Sequence, residues 1–174
     1  MQKRIALLTC FFFSLTIAAA CQGNRPSPAA SASCDLGSGK TITTAYSSPR
    51  LKGRKMIGEH EPYGKVWRNG ANEATTFVTS TDLMVGGKAV PAGSYTLFVV
   101  PNPDKWTLII NKKTGEWGIP YKYEADELAR IDMTLSKTSS PVEDFTIAYD
   151  KTASGCTLRE EWDTTRATVD ISAK

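Results

Sequence analysis

The sequence predicts an all-β protein: a single-domain antiparallel β-sandwich, jelly-roll-like or a partly closed barrel, with little helix. Three observations carry this prediction. Apolar residues after Lys40 recur with period two, glycine and proline punctuate the runs, and no stretch keeps a 3.6-residue period for three turns. With 41% hydrophobic and 22% charged residues, the 174-residue chain is too apolar to remain disordered.

The elements follow in order. Residues 41–46 and 74–79 read as strands. Leu83-Met84-Val85 and Lys88-Ala89-Val90 flank Gly86-Gly87, the signal of a two-residue hairpin. Pro91-Ala92-Gly93 turns the chain into residues 94–100, where Tyr95, Leu97 and Val99 share one face and Thr96, Phe98 and Val100 the other. Both faces are largely apolar, so this strand should be central. Pro101 to Asp104 turns it out again, and Trp106, Leu108 and Ile110 then share a face. Residues 123–130 are the one helix candidate. Beyond it, 131–135, 145–149, 157–162 and 167–171 read as further strands, most with alternating apolar and polar faces.

The N-terminus predicts export. Lys3 and Arg4 precede sixteen uncharged residues ending in Ala18-Ala19-Ala20, so residues 1–20 read as a signal peptide. Removing them lowers the formal net charge from +3 to +1 and argues against nucleic-acid binding. Ile17 to Cys21 resembles the lipobox of bacterial lipoproteins. That resemblance implies acylation of Cys21 and, because Gln22 follows rather than Asp, an outer-membrane address. From Gln22 to Gly39, 12 of 18 residues are Gly, Pro, Ser or Ala. Residues 21–39 therefore read as a lipidated flexible tether and 40–174 as the folded domain. Cys34 and Cys156 remain as an even pair, which in an oxidising compartment predicts a disulfide.

Residues 50–73 break the alternation. Gly53, Gly58, Gly64 and Gly70 space out a run of mixed charges with Tyr63 and Trp67. A local departure from an otherwise consistent pattern is where function is expected. In an extended chain Trp67 and Arg68 point to opposite sides, one into the core. Arg68 with Glu73 would form a buried ion pair pinning the loop, or Arg68, Asn72 and Glu73 would floor a pocket walled by Tyr63 or Trp67. The candidate binding set is Arg54, Tyr63, Trp67, Arg68, Asn72 and Glu73. His60 as a general base, or a carboxylate pair drawn from Glu59, Glu61 and Glu73, would suit a hydrolase. Trp117, Tyr121 and Tyr123 would cap the sandwich edge or stack on sugar rings. No GxSxG, P-loop, Cys-x-x-Cys or Cys–His arrangement is present, so neither a cofactor nor a metal is expected.

The blocks GRKMIG from Gly53, PYGKVWRNGANEATTF from Pro62, PAGSYTLFVVP from Pro91 and WTLIIN from Trp106 resemble the DUF2911 family, bacterial exported proteins of uncharacterised function. The resemblance implies a β-rich fold and brings no activity. The sequence thus reads as a membrane-tethered, non-catalytic envelope lipoprotein that binds a small molecule, glycan or protein. The alternatives are an envelope hydrolase using Glu73 with Arg68, or a purely structural or assembly lipoprotein.

Overall fold

The computed structural model describes residues 25–174. Residues 1–20, expected to be a signal peptide, Cys21, and the first residues of the expected tether lie outside the described residues. Nine strands are β1 (Ala29–Gly37), β2 (Lys40–Ser47), β3 (Thr75–Thr79), β4 (Leu83–Val85), β5 (Lys88–Val90), β6 (Gly93–Pro101), β7 (Trp106–Asn111), β8 (Glu127–Lys151) and β9 (Gly155–Ala173). They form one antiparallel sheet in the order β1-β2-β3-β6-β7-β8-β9-β4-β5, not closed into a barrel.

The sandwich is this one sheet folded over. Residues 127–133 of β8 pair with β7, whereas from Thr134 onward β8 pairs with β9. The β8–β9 hairpin therefore carries the sheet from one layer into the other. Its register shifts between Lys137 and Val142 and again before Thr146. Pro141 cannot donate to a ladder, and a bulge is where a sheet tolerates it. The inward residues of both layers meet in one core, from Cys34 and Ile42 through Leu97, Trp106 and Ile131 to Trp162 and Ile171. A disulfide joins Cys34 on β1 to Cys156 on β9, with Cα atoms 6.6 Å apart.

The alternation places the strands well. β6 lies between β3 and β7, and its two faces feed two cores: Tyr95, Leu97 and Val99 enter the main one, while Phe98 and Val100 join Ala74, Ile109 and Tyr123 in a second. The β4–β5 hairpin pairs Leu83 with Val90 and Val85 with Lys88. Gly86 and Gly87 turn it with φ of 50° and 78°, conformations that glycine adopts without steric cost.

Two expectations need correction. Composition extends the tether to Gly39, but Ala29–Gly37 is a strand that pairs with β2 from Ala29↔Ser47 to Gly37↔Lys40. Small residues supply little apolar area there, and backbone pairing plus the buried Cys34 order the strand instead. The helix candidate at 123–130 is a 3-10 turn over Glu124–Asp126, after which β8 begins. Ala129 and Arg130 pair with Ile110 and Ile109 of β7, so sheet hydrogen bonds override local helix propensity.

Candidate functional site

The site is built where residues 67–75 leave and rejoin the sheet. Trp67 exchanges both backbone hydrogen bonds with Val99 of β6, at 2.8 and 2.9 Å, so its side chain points into the main core. It stacks on Trp162 with ring centroids 5.5 Å apart and meets Phe145 edge-on at 4.8 Å. Its indole N–H donates to Gly70 O at 3.0 Å. Thr75 N donates back to Arg68 O at 3.3 Å, closing the loop of residues 69–74 between them. Asn69 and Asn72 take left-handed φ of 55° and 57°, which Asn tolerates better than other side chains bearing a Cβ.

Arg68, next to the inward Trp67, emerges on the opposite face. Its guanidinium carbon lies 4.9 Å from the centroid of the Trp117 ring, and Nη1 makes one long hydrogen bond of 3.4 Å to Trp117 O. Trp117 itself is 53% exposed. Among the described residues no carboxylate lies within ion-pair distance of Arg68. Burial pulls its pKa down, while Glu61 and Glu73 act from further off in the opposite sense. Burial also pushes the Glu61 carboxyl up, against the charge of Arg68. Gly118 makes the ledge possible: a Cβ there would stand 2.9 Å from Ala74 Cβ and 3.0 Å from Arg68 Cβ, at φ 93°. Ala74 N donates to Glu116 O at 3.1 Å and fixes the two segments together.

The expected buried Arg68–Glu73 ion pair is not formed. Glu73 sits on the solvent rim of the loop, where both its carboxylate oxygens accept from Arg25 Nη1 at 2.9 and 3.0 Å. Its own backbone amide and then Arg25 hold its pKa below the usual carboxylate value, which does not suit a general acid at neutral pH. Asn72 Nδ2 donates to Ser27 O at 3.2 Å. Asn72 and Glu73 therefore hold the incoming N-terminal segment.

The remaining candidates fall elsewhere. Arg54 spends its donors on its own turn, Nε to Leu51 O at 3.0 Å and Nη2 to Arg50 O at 2.8 Å. The Tyr63 ring covers Gly58, and His60 is exposed. Among the described residues no hydrogen bond or ion pair joins Arg54, Tyr63 or His60 to Arg68, Asn72 or Glu73. The aromatic run divides. Tyr121 and Tyr123 cap the second core against Phe98, with centroids at 4.8 and 6.0 Å, while Trp117 stays outside with Arg68. Among the described residues no group of three or more His, Cys, Asp or Glu side chains is placed to hold a metal ion.

Sequence reasoning missed a buried polar pair beneath the loop. Asn69 and Glu160 are both fully buried, and Asn69 Nδ2 donates to Glu160 Oε1 at 2.7 Å. Asn69 Oδ1 and Glu160 Oε2 have no partner. Burial pushes the Glu160 carboxyl up to about 7, with the Asn69 hydrogen bond opposing. Close by, Tyr149 OH and Thr44 Oγ1 are 2.6 Å apart, and burial raises the Tyr149 and Tyr46 pKa values. The available signal was register: Glu160 falls between the inward residues Leu158 and Trp162.

The sequence signature of proteins of unknown function termed DUF2911 matches residues 27–171, nearly all of the described chain. The chain belongs to the DUF2911 family. The match starts within two residues of β1, in keeping with a DUF2911 domain that includes this strand. No curated protein and no solved structure gives a significant match.

Proposed function

We propose that this DUF2911 protein is an exported lipoprotein, acylated at Cys21 and held at the outer membrane. Its domain is a non-catalytic binding module whose ligand-taking surface is the Arg68–Trp117 ledge. One observation carries the binding reading: a half-buried guanidinium lies over an exposed indole with its donors almost unspent. Arginine in that state offers a planar fork to an anionic group or to sugar hydroxyls, and the indole offers a flat wall. The anchor reading rests on the charged start, the apolar run and the small residues before Cys21.

The hydrolase reading loses support from the state of Glu73, which is exposed, ionised and occupied by Arg25. The test is capture. The mature chain is passed over an array of envelope glycans, acidic small molecules and phospholipids, beside its Arg68→Gln variant. Captured ligands should be lost with Arg68. Ligands held equally by both proteins would refute the ledge.

A further inference from the structure

The chain enters the domain at the ledge. Arg25 is held on Glu73, Ser27 O accepts from Asn72, and Pro28 O accepts from Ser48 N at 2.8 Å, after which β1 begins. Cys21 is four residues before Arg25. An extended chain advances at most about 3.6 Å per residue, so the two Cα atoms lie within about 14 Å of each other. Even with Arg25 released, Ser27 is six residues from Cys21, a reach of about 22 Å.

The surface beside that entry has the composition of a membrane-facing loop. Ala74, next to Glu73, bonds Glu116 O, and Trp117 follows directly. Trp117 and Ile119 are 53% and 43% exposed, with Pro120 exposed beside them. Lys112, Lys113 and Lys122 in the same segment are exposed. Lys113 pairs with Glu116 at 3.9 Å, and Glu124 is the next exposed carboxylate, so Lys112 and Lys122 with Arg68 carry the positive charge offered here. Tryptophan favours the headgroup level of a bilayer, and lysine and arginine near an anionic leaflet are drawn to it. A short tether also keeps this face at high effective concentration near the bilayer.

We infer that the Arg68–Trp117 face is the membrane-apposed side of the domain. Trp117 and Ile119 seat at the interface of the bilayer that holds the Cys21 acyl chains. Arg68 and the flanking lysines meet the phosphates of anionic phospholipids. The inference rests on the anchor and ledge readings above, and it names the anionic group as a lipid headgroup.

The fluorescence of this chain allows a direct test, because Trp67, Trp106 and Trp162 are each at most 2% exposed. The acylated full-length product is reconstituted in phosphatidylethanolamine–phosphatidylglycerol vesicles, with or without brominated acyl chains, and flotation is recorded alongside emission. Bromine should remove most of the Trp117 emission, and Trp117→Phe should abolish that loss. Replacing phosphatidylglycerol by phosphatidylcholine should weaken the quenching several-fold. Protein that floats with the vesicles but emits equally from brominated and plain bilayers overturns the orientation while leaving the anchor standing. Equal quenching without the anionic lipid overturns the phosphate assignment. Protein that does not float refutes the anchor, and the orientation falls with it.

Discussion

Replacing Glu160 by Gln should make the domain more stable at pH 8 and leave it nearly unchanged at pH 4. Glu160 is fully buried, and its one hydrogen bond comes from the neutral Asn69 amide. Ionisation in that setting leaves a charge without a counter-ion, which is why its pKa rises from 4.5 to about 7. Below pH 4.5 the carboxyl is neutral in both the folded and unfolded chain, and its contribution to stability is fully present. As pH rises from there, the unfolded chain releases the proton and the folded chain keeps it, so stability falls. The loss is complete once pH passes the folded value near 7. At roughly 1.4 kcal/mol per tenfold change in proton affinity, the total is about 3 kcal/mol. That is a sizeable share of a domain's usual stability of about 5–15 kcal/mol. The substituted glutamine has no proton to lose, and its amide can keep an oxygen for the Asn69 hydrogen bond while its N–H replaces the unpartnered Oε2. Urea unfolding of both proteins between pH 4 and pH 8 measures the difference. A gap that opens with pH to about 3 kcal/mol fits the reasoning. A gap that stays constant, or a variant weaker than wild type at pH 8, refutes it.

Two further outcomes follow from the packing. The Cys34–Cys156 bond closes a sequence separation of 122 residues; in the chain-entropy account its reduction should cost up to about 4–5 kcal/mol. Chemical unfolding with and without reductant reads this directly, and coincident curves would contradict it. Gly155→Ala should be among the most damaging single substitutions, because the new Cβ would stand 2.0 Å from the backbone oxygen of Ile171. The β8–β9 hairpin must shift to admit it, at the upper end of about 1–3 kcal/mol for overpacking. A melting temperature equal to wild type would show that the hairpin end is looser than described.

Where burial and alternation coincide, the sequence was readable. β6 announced itself by having two apolar faces, and Gly86-Gly87 marked the β4–β5 hairpin by turn chemistry alone. Trp67 and Arg68 parted to opposite sides because neighbouring residues of an extended chain must. β1 escaped notice because Ala and Ser look like linker; its order comes from backbone pairing with β2, which composition does not register. The union of 131–135 with 145–149 into one strand was hidden by the bulge around Pro141, whose continuity is imposed by the partner strand. Arg68 and Trp117 stand 49 residues apart, and the packing of Gly118 on Ala74 and the Ala74 N–Glu116 O hydrogen bond bring them together. The expected Arg68–Glu73 pair failed because a charge on the loop rim found the exposed Arg25 instead, and no local pattern encodes that choice.

The ledge can be watched directly through its own nitrogen signals. Trp67, Trp106 and Trp162 are each at most 2% exposed, and the Trp67 and Trp162 indole N–H groups donate to Gly70 O and Glu143 O, so Trp117 gives the solvent-facing indole resonance of the site. Short-chain phosphatidylglycerol is titrated below its micelle concentration into the 15N-labelled mature domain. The account predicts that the Trp117 indole and the Arg68 side-chain signals move together and that Arg68→Gln abolishes the shift at Trp117. Movement of other residues while these two stay still would contradict it.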